Sequence, residues 1–210
     1  MQTQTQQMYK YTDSVIRRMN RQFVEIFARS TRLIRQDELN VMRGAKKMYS
    51  ELDAIVKESY MEIAEKAYKN AYAMVLPMKK KKSGISAAWL LAFLTAFDPV
   101  TGYVFNNEVK RKRDRFAESV IAQRRRSDII RARDLFARQA AQYALEVTDK
   151  ATIKAYKDAG IKKVRWKTEG DDKVCRECKE MNNRVYDVDK IPDKPHINCR
   201  CIVVPVIDKK

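Results

Sequence analysis

The chain has 210 residues, 45% of them hydrophobic, which is enough to form one large or two small domains with a packed core. Its five Gly and five Pro are too few for a loop-rich all-β fold, and its most apolar run, residues 87–97, is shorter than the roughly 20 residues that span a bilayer. The formal net charge is +17, of which residues 165–210 hold only +2, from eleven basic and nine acidic side chains. We therefore expect no membrane partner and predict that any surface for a polyanion, such as DNA or an acidic protein, lies in the first 164 residues.

The N-terminal third is predicted to be helical. We expect residues 1–10 to form a loose arm and a first amphipathic helix to run from Thr12 or Asp13 to about Ser30. A longer helix, about residues 37–76 and roughly 60 Å long, should end before Pro77. We interpret it as a bundle helix rather than a free coiled coil, with its tyrosines in the packing. Its buried seam follows steps of three and four residues: Val41, Ala45, Met48, Leu52, Ile55, Ser59, Ile63 and Ala67.

A loop and a short helix follow. The four lysines at 79–82 are typical of a solvated loop, with contact to phosphate or to an acidic partner as the alternative. Ser86 can cap an apolar helix over residues 87–97, which should end at Asp98 because Pro99 disfavours helical geometry at the residue before it.

Two basic helices are expected over about residues 106–147. Ser127 and Asp128 predict a cap or break between them. Residues 108–138 contain eleven basic and five acidic side chains, an excess that pairing within a helix cannot neutralise. A solvated helix face explains part of this charge, and contact with double-stranded DNA is the alternative. The candidate nucleic-acid contacts are Lys110, Arg111, Lys112, Arg113, Arg115, Arg124, Arg125, Arg126 and Arg131.

The C-terminal part changes from helical to strand periodicity. A cap at Thr148 predicts a short helix that closes at Gly160, and alternation from residue 163 to 168 then predicts a half-buried strand. Two more strands are expected at 184–188 and 201–206, the last at a sheet edge because of Pro205. The predicted organisation is thus a basic α-helical domain at 1–160 and a small zinc-binding β module at 161–210. The fold class is mainly α, an extended helical bundle with one long helix and a zinc-stabilised β module.

All four cysteines and the only histidine fall within this module. Cys175 and Cys178 have the spacing of a metal-binding knuckle, and His196 with Cys199 forms a second half-site, which predicts tetrahedral, structural Zn²⁺. Five candidates compete for four positions, since Cys201 lies on the same face as Cys199 if a strand begins at residue 200. We favour Cys175, Cys178, His196 and Cys199, with Cys201 as the alternative fourth ligand.

Two other interpretations of the cysteines remain. Disulfides require an oxidising compartment, and the polar residues 1–7 with no apolar stretch after them give no indication of a signal peptide. Inert buried thiols would not bring the only histidine with them. A catalytic zinc site is less favoured than a structural one, since a single histidine excludes the usual two-histidine hydrolase arrangements.

Three segments together resemble the phage Mu F-like minor head proteins, a phage head morphogenesis family. The segments are WLL at 89–91 with FDPVTGYVFNNEVKRK at 97–112, GIKKVRW at 160–166 with DDKVCREC at 171–178, and HINCRC at 196–201. The resemblance covers about residues 85–206, and residues 11–77 match only as a helical arm. Ile197 stands where the family commonly has proline, a change that should leave the metal site intact.

The resemblance implies a minor capsid protein of a tailed phage rather than an enzyme. Such a protein associates with the portal protein and with capsid or scaffold proteins, and takes part in head assembly, DNA packaging or ejection. It belongs to the virion, at the capsid interior or portal vertex, where it can form a homo-oligomer, and it is in the host cytoplasm during assembly. Some relatives carry further C-terminal enzymatic domains, which we do not expect in a chain that ends at Lys210.

Two other function classes are weighed against this one. A zinc-dependent nucleic-acid-binding regulator should carry its positive charge on the module itself, whereas residues 165–210 are nearly neutral. For an enzyme, the acids to consider are the pairs Glu108 with Asp114 and Asp171 with Asp172. Helix-surface charge and turn chemistry explain these pairs more simply, because no base and nucleophile converge with them.

Overall fold

The computed structural model describes residues 4–36, 40–75, 84–98, 103–122, 126–168, 172, 174–196, 199 and 201–207. Its helices are α1 (Gln4–Gln36), α2 (Val41–Val75), α3 (Ala87–Thr95), α4 (Phe105–Ile121), α5 (Arg126–Asp158) and α6 (Arg176–Met181). Its strands are β1 (Phe97–Asp98), β2 (Tyr103–Val104), β3 (Lys163–Lys167), β4 (Val185–Asp187) and β5 (Ile202–Pro205). This confirms a mainly α-helical fold with a small C-terminal sheet. The lysine run at 79–82 lies outside the described residues.

Three long helices, rather than one, form the bundle. α1, α2 and α5 have 33, 35 and 33 residues, and α2 packs against both of the others and against α4. At 1.5 Å per residue each is about 50 Å long. The predicted bounds of 37–76 for the second helix thus contract to Val41–Val75, and Asp37 and Pro77 lie outside the described residues. The expected seam holds except at Ile55, which is only half-buried while Val56 is buried in its place.

The bundle core is aromatic at its centre. Phe116 lies 5.7 Å from Phe27 and 6.2 Å from Tyr49, measured between ring centroids. Both contacts are edge-on, the geometry that aromatic pairs prefer. The tyrosines of α2 are buried as expected, and the hydroxyl of Tyr60 donates to the carbonyl oxygen of Ala140 at 2.6 Å. This bond joins α2 to α5 and satisfies a buried polar group.

The expectation of a loose arm at residues 1–10 is wrong for the part that the structure describes. α1 begins at Gln4, and Met8 is buried in the core. Thr12 is not an N-cap, since its hydroxyl donates to the carbonyl oxygen of Met8 at 3.1 Å. The apolar stripe begins about two turns before Val15, with Met8, and this part of the helix was missed because polar residues cover its other faces. The predicted end near Ser30 is also too early.

Gly44 allows α1 and α2 to approach each other closely. A Cβ atom at this position would lie 2.5 Å from Cγ1 of Ile34, which is buried on α1. A contact that short cannot exist without a shift of one helix or of the Ile34 side chain. Glycine destabilises a helix, and the close packing of α1 explains why it nevertheless occurs in the first turns of α2.

The expected helix start at Thr148 is also wrong, because α5 is continuous from Arg126 to Asp158. Thr148 is buried; its hydroxyl donates to the carbonyl oxygen of Ala144 at 3.0 Å and lies 2.8 Å from the hydroxyl of Thr12. Tertiary contact with α1 explains the residue that resembled a cap. The predicted break at Ser127 falls one residue inside α5, and residues 123–125 lie outside the described ones.

Gly160 ends α5 as predicted. Its φ angle is +81°, in the left-handed region that glycine adopts without steric cost. The Ile161 N–H donates to the carbonyl oxygen of Tyr156 at 3.0 Å, and the Gly160 N–H donates to that of Lys157 at 2.9 Å. These two bonds define a Schellman motif, which turns the chain into the sheet.

The C-terminal sheet has the order β4-β3-β5, with both pairings antiparallel. Pro205 lies on an edge strand, as predicted. A separate short hairpin pairs β1 with β2, which the sequence pattern did not indicate. Val164 and Trp166 of the central strand are buried in the same hydrophobic core as the helices. The division into domains at residue 160 stays a prediction.

Candidate metal centre and basic surfaces

The first cysteine pair is held at the start of α6. Cys175 is the N-cap of this helix, and its sulfur accepts a hydrogen bond from the Cys178 N–H at 3.4 Å. The Lys179 N–H also donates to the carbonyl oxygen of Cys175, at 3.0 Å. The turn that these bonds create is the knuckle that the two-residue spacing predicts, with both sulfurs on one side of a short helix.

The second cysteine pair lies at the start of β5, against the first. The sulfur of Cys178 is 3.5 Å from that of Cys199 and 3.6 Å from Nε2 of His196. The ligand atoms form two groups, each within 4.8 Å: Cys175, Cys178 and His196, and Cys178, Cys199 and Cys201. The structure therefore brings together all five predicted candidates, and Cys178 belongs to both groups.

The geometry fits a tetrahedral thiolate site. With Zn–S bonds of about 2.3 Å, two sulfur ligands lie about 3.8 Å apart, close to the separation of Cys178 and Cys199. A disulfide has sulfurs about 2.05 Å apart, and all four cysteines are free in the structure. Burial raises the pKa of the Cys178 thiol to about 12. The pKa of Cys199 is also raised, first by its hydrogen bond with Cys201 and then by burial. Without a cation these thiols stay protonated; a bound Zn²⁺ reverses this preference by stabilising the thiolates.

A buried ion pair ties the metal loop to the bundle, and sequence analysis did not identify it. Lys194 lies 2.5 Å from Oδ2 of Asp149 on α5, and it donates to the carbonyl oxygen of Cys199 at 3.1 Å. It also donates to the hydroxyl of Tyr9 on α1 at 3.2 Å, and that hydroxyl bonds Asp149 in turn. Burial alone would lower the pKa of Lys194, but Asp149 and Tyr9 outweigh it and raise the pKa. Only the lone lysine between two prolines, Pro192 and Pro195, stands out in the sequence.

The predicted nucleic-acid contacts are in different environments. Lys110, Arg115, Arg126 and Arg131 are exposed and form no ion pair with any residue that the structure describes. Arg124 and Arg125 lie outside the described residues. The other three are constrained as follows: Arg111 pairs with Glu108 at 2.6 Å, Arg113 pairs with Asp114 at 2.7 Å, and Lys112 is only 8% exposed.

Burial and the neighbouring Arg111 lower the pKa of Lys112, with Arg115 adding to the effect and Glu108 opposing it. A lysine whose stem is packed in this way contributes less to a phosphate-binding surface than its exposed neighbours do.

Two of the concave surfaces that carry basic side chains are considered as binding surfaces. The first, which we name the α2–α4 groove, is lined by Lys46, Lys57, Lys110 and Arg113, with Asp53 as its acidic residue among the described ones. The second, the α1–α5 groove, has an apolar floor and three arginines, with no carboxylate among its described lining residues. It is lined by Val24, Phe27, Ala28, Thr31, Arg32, Arg126, Ile129, Ile130 and Arg133. Lys46 and the α1–α5 groove were not predicted from the sequence.

The described part of the chain contains no helix that is both long enough and apolar enough to cross a lipid bilayer.

Comparison with known proteins gives one family. Residues 109–204 match the sequence model of the family described as Phage Mu protein F like protein. No curated protein and no solved structure matches the chain significantly. The match contains most of α4, all of α5, β3 and β4, most of β5, and all five candidate metal ligands. The resemblance indicated by the motifs is thus confirmed over residues 109–204, which are similar to the phage Mu F-like proteins.

Proposed function

We propose that the protein is a structural minor head protein of a tailed bacteriophage, located at the portal vertex or capsid interior. The observation that carries the proposal is the phage Mu F-like match over residues 109–204. Its role is assembly rather than catalysis. It acts during head assembly, DNA packaging or ejection, with the helical part forming the contacts and the C-terminal module acting as a folded support.

The metal in this module is structural Zn²⁺, held by four of the five candidates. The favoured set is Cys175, Cys178, His196 and Cys199, with Cys201 as the alternative fourth ligand. Support comes from the 3.5 Å separation of two buried sulfurs and from the membership of Cys178 in both ligand groups. When bound, the ion supplies cohesion to a sheet whose strands have only five, three and four residues.

The α1–α5 groove is the proposed contact with a portal, capsid or scaffold protein. Val24 and Ile130 are 46% and 39% exposed there, an apolar surface that water does not favour. Arg32 and Arg126 lie on the same groove without a lining carboxylate among the described residues. An apolar centre with an arginine rim is typical of a protein interface and matches an acidic partner segment.

The α2–α4 groove is the proposed DNA contact. Lys46 and Lys110 line it and form no ion pair with any described residue, so both are free to neutralise phosphate. Such contacts give affinity that depends on salt and not on sequence.

The function is tested on assembled particles. Purified virions are analysed by mass spectrometry, and recombinant protein is sedimented with purified portal and with procapsids. We expect the protein in the particle and in the portal pellet. The variant Arg32→Glu/Arg126→Glu should lose most of this association, whereas Lys10→Glu/Arg17→Glu, an equal charge change at exposed α1 positions outside both grooves, should keep it. Absence from virions, together with no association with portal or procapsids, would reject the proposal.

DNA contact has a separate test. We expect Lys46→Glu/Lys110→Glu to weaken binding to random-sequence duplex DNA about tenfold or more at moderate salt. The slope of log affinity against log salt should also fall by about two. The same Lys10→Glu/Arg17→Glu control separates a local contact from a general effect of net charge. Equal losses in both variants would mean that the α2–α4 groove is not the DNA surface.

A further inference from the structure

A cavity of about 190 Å³ lies between the bundle and the C-terminal sheet, separate from both grooves. Its apolar walls come from α3, α5, β3 and β5, and include Phe93, Tyr143, Ile153, Trp166 and Val203. Sites for drug-sized ligands usually measure about 300–1,000 Å³, so this cavity is too small for a nucleotide or a large cofactor. Its volume suits one long side chain.

Two polar groups in the wall of this cavity lack partners. Trp166 is only 2% exposed, and its Nε1 is buried without a hydrogen-bond acceptor. No hydrogen bond or ion pair joins Glu146 to any residue that the structure describes. A buried donor or acceptor without a partner is unfavourable, and most such groups in native proteins are satisfied. The wall of the cavity thus includes one carboxyl group that has no hydrogen-bond or ion-pair partner among the described residues.

The cavity is also locally acidic, although the chain as a whole carries a net charge of +17. Its charged lining residues are the acidic Asp98, Glu146, Asp149 and Asp193 and the basic Lys150 and Lys194. Lys194 is already bound to Asp149. Burial raises the pKa of Glu146 to about 7, with Asp149 and Asp98 adding to the rise while Lys194 and Lys150 oppose it. A positive charge placed in the cavity would relieve both the burial of Glu146 and its repulsion by Asp149.

We propose that this cavity receives a single lysine or arginine side chain of a partner protein. The cation pairs with Glu146, and the aliphatic stem packs on Phe93 and Tyr143. Aromatic rings in the wall add attraction for a cation. A buried pocket that fits one basic anchor is a common centre of protein–protein interfaces. The inference goes beyond the proposed head function, since the cavity is separate from both grooves, although Cys201, the alternative fourth metal ligand, is one of its lining residues.

The test uses the full-length, zinc-loaded chain and Nα-acetyl-argininamide as the probe. Only two tryptophans are present, so the indole N–H signals of Trp89 and Trp166 are assigned with Trp89→Phe. We expect the probe to shift the Trp166 signal saturably, with a dissociation constant on the order of millimolar for so small a ligand. Nα-acetyl-norleucinamide, which has a similar stem without the charge, should not shift it. Glu146→Gln should weaken binding at least tenfold, and the matched exposed control Glu25→Gln should not.

A second measurement needs no variant. Because only ionised Glu146 pairs with the probe, affinity in the unmodified protein should fall about fourfold from pH 8 to pH 6.5, with zinc content monitored throughout. No shift of Trp166 at 50 mM probe, an equal shift with the norleucine analogue, or unchanged binding in Glu146→Gln would each overturn the proposal. So would a shift with putrescine but not with the amide, since that identifies a free amine rather than a side chain.

Discussion

The helical bundle and the C-terminal sheet obtain their cohesion in different ways. The bundle buries large side chains along three helices of 33 to 35 residues, including Phe23, Tyr60 and Phe136. The sheet has twelve strand residues in three strands, and its buried interior is small. Three short strands are marginal on apolar burial alone, so they need either the helices or a metal for stability. The helices are thus stabilised mainly by their own packing, whereas the sheet depends on the helices or on a metal.

Charge divides the two regions in the same way. Residues 165–210 hold +2 of the total +17, and the exposed cations that line the two grooves lie on α1, α2, α4 and α5. The region that we expect to bind metal is therefore not the region that is best suited to polyanions. We therefore expect removal of the metal and substitution of the cations in the two grooves to have distinct consequences.

The largest effect is expected from Cys178→Ser. Cys178 belongs to both ligand groups, so its loss leaves only two closely spaced ligand atoms in each. Structural zinc contributes on the order of 10 kcal/mol in small zinc modules. We expect zinc content to fall from one to near zero per chain and the Trp166 environment to become solvent-exposed, while the far-ultraviolet signal of the helices largely persists.

Single substitutions of the other four candidate ligands show which of them bind the metal. Cys201→Ser should keep zinc if the favoured set is correct, whereas Cys175→Ser, His196→Ala and Cys199→Ser should lose it. Retention of zinc in His196→Ala together with its loss in Cys201→Ser would identify a four-cysteine site. A zinc-free Cys178→Ser protein with an intact sheet would contradict the role given to the metal.

The opposite perturbation is Phe116→Ala in the bundle. Phe116 is fully buried against Phe27 and Tyr49, so truncation leaves a cavity and costs about 3–5 kcal/mol of unfolding free energy. Denaturant unfolding followed by circular dichroism measures the loss. Zinc should still bind under native conditions. If Phe116→Ala lost zinc while its helices stayed folded, the bundle and the metal site would be coupled through the hydrophobic core that they share.

The junction between the regions is tested by Lys194→Met. Removing Lys194 leaves Asp149, whose side chain is 15% exposed, without its ion pair but with its bond from Tyr9, which should cost about 1–3 kcal/mol. The change also removes the bond to the Cys199 carbonyl oxygen, so a weaker zinc affinity should accompany the loss of stability. A double-mutant cycle with Asp149→Asn isolates the pair from other effects. An additive cycle would mean that this contact does not couple the two regions.

Glu146 supplies the pH dependence of this junction. Burial raises the pKa of its carboxyl group to about 7, from about 4.3 in an unfolded chain. Between these values the folded state keeps a proton that the unfolded state releases. The contribution of Glu146 to the free energy of unfolding is therefore most favourable below about pH 4.3. This contribution falls by up to about 3 kcal/mol as the pH rises to 7. We expect Glu146→Gln to remove this difference in urea unfolding measured at pH 5 and pH 8.

Local signals in the sequence predicted some features well. Gly160 needs left-handed geometry, Ser86 accepts a hydrogen bond from the Trp89 N–H at 3.2 Å, and Pro205 requires an edge strand. Each depends on one residue and its immediate neighbours. The cysteine spacing belongs to the same class, since a two-residue separation is enough to place both sulfurs of Cys175 and Cys178 near one point.

What sequence reasoning missed depends on contacts between distant residues. Thr148 has the chemistry of a cap but pairs with Thr12, 136 residues away, inside a continuous helix. The Lys194–Asp149 pair and the unpartnered Glu146 arise only when the loop before Cys199 packs on α5. Charge counts also overstate the basic surface, because Lys112 is buried and Arg111 and Arg113 are paired with carboxylates. Of these pairs, only Arg111 with Glu108 and Arg113 with Asp114 join residues that are near each other in sequence.

The smallest effect is expected at Gly160, the residue that separates the two regions. A Cβ atom there meets nothing within 4 Å, so packing does not oppose a substitution, and the φ angle of +81° is the only obstacle. Gly160→Ala should cost about 1 kcal/mol in thermal unfolding, because an L-residue is disfavoured in this region. Gly160→Asn should cost less, since asparagine tolerates it. Both variants should bind zinc normally. Equal losses of stability in the two variants would mean that the left-handed backbone conformation at residue 160 is not what opposes a substitution there.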